Sequence, residues 1–174
     1  YRLFARKEMN EDSLIYNIEH NNYYRRFGGV GGGSAFKYHL FFHYEKNTWV
    51  KGISKNNIEL TESEAISYAE ELRDKLVKLF DEVEKRIPLD SIEKYQQLQT
   101  FVRSDSLYTK QWVLKYLHML YPKFFSTFYS REWIKKVATK LGIKVAGKGD
   151  NVSLNGQISL VANELRIPNV FFAH

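Results

Sequence analysis

The chain has no cysteine in its 174 residues, which excludes disulfides and thiolate-bound metals and suits a reducing cytoplasm. No apolar run approaches the roughly 18 residues of a membrane span, and the opening YRLFARKEMNEDS lacks the apolar stretch of a signal peptide. A soluble cytoplasmic protein with no membrane partner is therefore expected. The start at Tyr1 in place of methionine suggests a piece cut from something longer.

Nucleotide motifs are also missing. The glycine run GGVGGGS at 28–34 could bring backbone N–H groups close to a phosphate. A phosphate loop, however, needs Lys and then Ser or Thr after its second glycine, and Gly33 is followed by Ser34 and Ala35. A dinucleotide fingerprint would need a strand before the glycines and a helix after them, and the pattern supplies neither. A hinge, or a loop that closes over a ligand, fits the run better. Catalytic constellations are equally scarce. His39 and His43 share a strand face about 13 Å apart, too far to chelate one metal, and His20, His118 and His174 show no useful spacing. Glu45-Lys46 lacks the acidic residue on a neighbouring strand that a nuclease site requires. With no paired carboxylates either, no enzymatic activity, cofactor or metal is expected.

Hydrophobic residues make up 44% and aromatics 16% of the chain, enough to bury the core of one domain over 1–174. The net charge of +6 is unevenly spread. Residues 1–60 carry nine Lys/Arg against six Asp/Glu, residues 61–105 seven against eleven, and residues 106–174 ten against three. Basic ends around an acidic middle argue for a face or groove directed at a polyanion, of which nucleic acid is the commonest.

From Ala35 the pattern has period two. Phe36, Tyr38, Leu40, Phe42 and Tyr44 alternate with Lys37, His39, Phe41, His43 and Glu45, which predicts a half-buried strand. EKNT at 45–48 is turn chemistry, and Trp49–Lys51 restart an extended segment that Gly52 ends, making a hairpin. Thr61 with Glu64 is a capping box. The apolar series Ala65, Tyr68, Leu72, Leu76, Leu79, Val83 and Ile87 then predicts a helix from about 62 to 86, stopped by Pro88 and lined outside by Glu71/Lys75, Asp74/Lys78 and Glu82/Arg86. Asp90 with Glu93 caps a second helix to about Val102, and Thr109 opens a third that Pro122 ends. Ser130 caps a fourth, Arg131 to Leu141, closed by Gly142. Asn155-Gly156 reads as a turn before a short helical run from Gln157 to Leu165. Early strands and late helices predict α+β, a small antiparallel sheet with an aromatic hairpin packed against several C-terminal helices.

The richest stretch is WVLKYLHMLYPKFFSTFYSREW at 112–133, where Lys115, Lys123 and Arg131 stand among eight aromatics. Such a mixture reads a charged backbone and stacks on bases. Aromatics at helical spacing equally suit a buried helix whose lysines reach water. Lys136 and Lys140 share a helix face with Lys135 beside them, and Lys144 and Lys148 lie beyond its end. With Lys123 and Arg131 they form a candidate set of phosphate contacts, the ordinary alternative being a solvated face. On the hairpin, Tyr38, Phe41 and Trp49 offer flat surface for base recognition, although aromatics also favour any strand.

Four segments are familiar together: GGGSAFKYHLFFHYEKNTWVKG at 31–52, ISYAEELRDKLV at 66–77, KYLHMLYPKFFSTFYSREW at 115–133 and NGQISLVANELRIPNVFF at 155–172. They resemble the region ahead of the ATPase module in McrB-like AAA+ proteins of modification-dependent restriction systems, used in phage defence. The resemblance implies a recognition domain for modified or specific double-stranded DNA. In such a protein a nucleoside-triphosphate-driven ring and a McrC-type nuclease subunit perform the work. It transfers no site residue. The second reading is a protein-interaction module that docks a partner subunit through 112–133.

Overall fold

The polar turn at 45–47 and, among the described residues, Leu40–His43 before it and Thr48–Lys51 after it form the hairpin that the sequence predicts, while the expected strand before Leu40 and the glycine run at 28–34 lie outside the described residues. The computed structural model describes residues 40–43, 45–53, 56–145 and 150–169. In it β1 (Leu40–His43) and β2 (Thr48–Ile53) form an antiparallel hairpin that pairs Phe42 with Trp49 and Leu40 with Lys51. Asn47 closes the turn at φ 49°, a left-handed position that asparagine tolerates. The strand does not end at Gly52. Gly52, at φ 115°, lets β2 continue to Ile53 and pair with β3 (Asn56–Leu60), a strand that NNIEL does not announce. The sheet thus has three antiparallel strands in the order β1-β2-β3.

Helix α1 (Glu62–Glu84) begins where its capping box sets it. The Thr61 N–H donates to Glu64 at 2.7 Å, and the Glu64 N–H donates back to the Thr61 hydroxyl at 3.3 Å. One face of the sheet, carrying Leu40, Phe42, Trp49 and Leu60, packs on the first turns of α1 through Ala65, Tyr68 and Ala69. Small residues on the helix let it approach the sheet closely, and the large ones on the strands fill the space. Among the expected surface pairs, Glu71–Lys75 and Glu82–Arg86 form, whereas Asp74 takes its neighbour Arg73.

The chain divides into two compact units, Tyr1–Val77 and Lys78–His174. The second contains the end of α1, α2 (Ile92–Val102), a 3₁₀ turn (Ser106–Thr109), α3 (Gln111–Leu120), α4 (Arg131–Lys140) and α5 (Asn151–Glu164). The fold class is α+β. Among the described residues no helix is long and apolar enough to cross a membrane. Ser91, and not Asp90, caps α2, through the Lys94 N–H; Asp90 instead forms an ion pair with Lys94. Thr109 ends the 3₁₀ turn, and α3 starts after Lys110.

Helix α5 packs on both α2 and α4 and is buried on nearly every side between Asn151 and Ser159. Its start lies six residues before the sequence expectation, because Asn155-Gly156 is not a turn but the middle of this helix. Both residues answer to neighbours. A Cβ on Gly156 would sit 2.1 Å from two ring carbons of the fully buried Tyr95, so only glycine admits the α2 aromatic. The Asn155 amide accepts from the Ser126 N–H at 2.8 Å and donates to the carbonyls of Ser126 at 3.2 Å and Phe128 at 2.6 Å. The first N–H groups of α5 are capped from α2, the buried Gln99 Oε1 accepting from Val152 and Ser153 at 3.0 Å each.

These contacts reverse an ordinary substitution rule. Replacing a mid-helix glycine by alanine usually stabilises by roughly 0.5–1 kcal/mol. Gly156→Ala should instead cost about 1–3 kcal/mol by overpacking against Tyr95. Asn155→Ala, which strands three buried backbone groups, should cost about 3 kcal/mol or more. Thermal melting of the two variants checks this, and a higher melting temperature for Gly156→Ala would contradict the packing described.

Candidate nucleic-acid interface

Helix α4 is two-faced by composition. Ile134 and Ala138 are fully buried, and its end is fixed by Gly142 at φ 71°. There the Ile143 N–H reaches the Ala138 carbonyl and the Gly142 N–H reaches the Thr139 carbonyl, a Schellman closure. The opposite face carries Trp133, Lys136 and Lys140, at three- and four-residue spacing and all exposed. Arg131 and Lys135, four residues apart and half-buried, line one flank. Lys144 stands exposed just past the cap, at the rim of a cleft of about 290 Å³ lined also by Gln96, Gln99, Arg103, Asp150 and Gln157. Lys123 is exposed on the loop that precedes α4. Lys148 and Tyr38 lie outside the described residues.

The electrostatic setting of these cations differs from that of the rest of the molecule. Lys46 pairs with Glu59, Lys75 with Glu71, Lys85 and Arg86 with Glu82, Lys94 with Asp90, and Arg103 with Asp150. The Lys46 ammonium beside Glu59 and the Lys85 and Arg86 groups at Glu82 hold those carboxyls below their ordinary range. By contrast, Lys123, Arg131, Lys135, Lys136, Lys140 and Lys144 form no ion pair among the described residues, and neither do Lys51, Lys78, Lys110 and Arg166 elsewhere. The local acids explain the difference. Residues 106–174 hold only Glu132, Asp150 and Glu164, and Asp150 is taken by Arg103.

The 112–133 stretch separates into core and surface. Trp112, Leu114, Leu117 and Phe125 are buried, and so is Lys115, 1% exposed, with its ammonium 5.9 Å from the Tyr129 ring centroid. Burial pushes the Lys115 amine down to about 8. His118 is also buried, and its Nδ1 lies 2.6 Å from the Phe125 carbonyl, to which it donates. Burial first, and then the charge of Lys115, lowers its pKa, which favours the neutral ring. Only Trp133 puts most of a large aromatic ring in water, at 54% exposure, with the Lys136 ammonium 4.7 Å over its centroid. Its position one turn before Lys136 is readable in the sequence, but the surrounding aromatics hide it.

The chain matches no protein-family model, no curated protein and no solved structure.

The hairpin aromatics occupy a different environment from the basic face. Trp49 is 4% exposed in the cluster with Leu40, Ala65 and Ala69, its ring edge-on to Phe42 at 5.2 Å, and Phe41 is 6% exposed on the other sheet face with Val50. Buried rings have no open face for a base, so the role expected of Trp49 and Phe41 gives way to core packing. The register sets Phe42 opposite Trp49. No group of three His, Asp or Glu comes together as a metal site among the described residues. Trp49→Ala should accordingly cost about 3–5 kcal/mol of stability. Paired melting and DNA titration check this; unchanged melting with a selective loss of DNA affinity would return Trp49 to the recognition surface.

Proposed function

We propose that this chain is the non-catalytic DNA-recognition part of a McrB-like restriction protein of the cytoplasm, holding duplex DNA by its phosphates through α4 and the segments flanking it. The observation that carries this reading is the set of six cations from Lys123 to Lys144 with no described acid partner, whereas Lys46, Arg73, Lys75, Lys85, Arg86, Lys94 and Arg103 among the other described cations are ion-paired. Lysines placed only for solubility gain from interspersed acids, and a solvated helix face usually carries both signs. A phosphate surface needs positive charge left available to the ligand, because binding energy comes from the counterions that such charges release.

On this reading the duplex, methylated or otherwise specific as the resemblance implies, is the direct partner. A McrC-type nuclease subunit would be engaged by the whole protein, whose remainder would supply the nucleoside triphosphatase motor. The alternative, docking of a partner subunit through 112–133, would have to use Met119, Leu120 and Trp133, the exposed apolar residues of that stretch, because Trp112, Leu117 and Phe125 are packed inside the second unit.

Replacing Lys135, Lys136 and Lys140 by alanine should weaken binding to all duplexes about equally, and should flatten the slope of log affinity against log salt by about one unit per lost contact. Melting should stay within about 0.5 kcal/mol of wild type, since these are surface positions. Titrations of unmodified, cytosine-methylated and adenine-methylated duplexes at several salt concentrations test the proposal. Wild-type affinity in the triple variant at low salt would reduce the basic face to a solvated surface.

A further inference from the structure

We infer that Trp133 is a stacking platform for an unpaired base, so that the α4 face, which holds a duplex by its phosphates alone, binds more tightly where the bases of the nucleic acid are unpaired. This rests on reading the same face as a phosphate surface. The inference comes from an exposed aromatic ring on this face that the phosphate reading leaves unused. Trp133 is 54% exposed, whereas Trp49 and Trp112, the other two tryptophans, are 4% and 1% exposed. A surface whose only task is to touch the sugar-phosphate backbone of a closed duplex gains nothing from an indole, because paired bases show edges and not faces. An unpaired base does show its face, and stacking on it is tolerant of sequence.

The surroundings of the ring fit that ligand. The Lys136 ammonium lies 4.7 Å above its centroid and Lys140 follows one turn later on the same exposed strip, so a phosphate joined to the stacked nucleotide meets a cation within one or two side chains. Glu132 is the only acid on α4; it stands in the first turn, where the helix dipole favours a negative charge, and among the described residues it forms no ion pair with Lys136, four residues on. An aromatic ring interleaved with unopposed lysines is the pattern of surfaces that hold single strands. Deoxy and ribo strands share this chemistry, and the test separates them.

The two buried tryptophans make Trp133 the ring that reports on solution ligands. The whole chain would be titrated at low salt with oligodeoxythymidylate and oligouridylate of about twelve nucleotides, with a duplex of the same length, and with anionic phosphatidylserine vesicles. Single strands should quench the tryptophan emission more strongly than the duplex. Trp133→Leu, which keeps an apolar side chain but removes the ring, should weaken single-strand binding about tenfold and duplex binding less than about twofold, with Trp133→Phe between. Tighter binding of one oligonucleotide than the other identifies the strand type. Equal single-strand affinity in Trp133→Leu, or equal losses on single strand and duplex, would overturn the stacking role while leaving the phosphate surface standing. Binding of neither oligonucleotide nor duplex, with or without vesicle binding, would overturn the phosphate reading and this inference together.

Discussion

The second unit depends on how it satisfies the backbone of a buried segment that has no regular structure. Residues 121–130 connect α3 to α4 without a helix or strand of their own, yet Phe125 and Ser126 are fully buried. A buried carbonyl left without a donor costs about 1–3 kcal/mol, so such a segment survives only if side chains supply what secondary structure does not. They do so residue by residue. Asn169 donates to Pro122, Ser159 and Asn163 donate to Lys123, Tyr95 to Phe124, His118 to Phe125, and Asn155 to both Ser126 and Phe128. The donors come from α2, α3, α5 and the turn after α5, so the loop binds these elements together as much as they hold it.

This clamp decides what α4 presents to solvent. Its first residue follows the clamped loop directly, its Ile134 and Ala138 are buried with α5 packed against it, and the Schellman closure at Gly142 stops it after ten residues. With one face committed to the interior, the exposed residues are Glu132, Trp133, Lys136, Thr139 and Lys140, flanked by the half-buried Arg131 and Lys135. The scarcity of acids after residue 105 leaves those cations without partners. A surface built in this way carries positive charge without acid partners among the described residues, and it stands on the hydrogen bonds beneath it.

What the sequence discloses, and what it hides, follows the range of the interaction. The capping box of Thr61 and Glu64 and the Gly142 closure are contacts within a few residues, and both stand where the spacing predicts. The hairpin between β1 and β2 is legible for the same reason. Asn155-Gly156 misleads because the usual local meaning of that pair is a turn, while here the amide serves a loop 27–29 residues away and the glycine serves Tyr95 in another helix. Strand β3 is hidden because NNIEL has neither alternation nor β-branched bulk beyond Ile58, and only pairing with β2 holds it extended. For the site, composition does not show that Lys136, Lys140 and Lys144 are exposed while Arg131 and Lys135 are half-buried, and it cannot tell an exposed ring from a core ring. Trp49 and Trp133 look alike in the sequence and differ from 4% to 54% in exposure.

The central claim is that the unpartnered cations of the α4 face, and not the ion-paired lysines elsewhere, are the contact with nucleic acid. Acylation of lysines in the whole chain, with and without saturating duplex at low salt, measures this site by site. The account predicts that Lys123, Lys135, Lys136, Lys140 and Lys144 lose reactivity when DNA is bound, that Lys75, Lys85 and Lys94 do not, and that buried Lys115 reacts slowly in both states. Protection spread evenly over all exposed lysines, or confined to the paired ones, would contradict it.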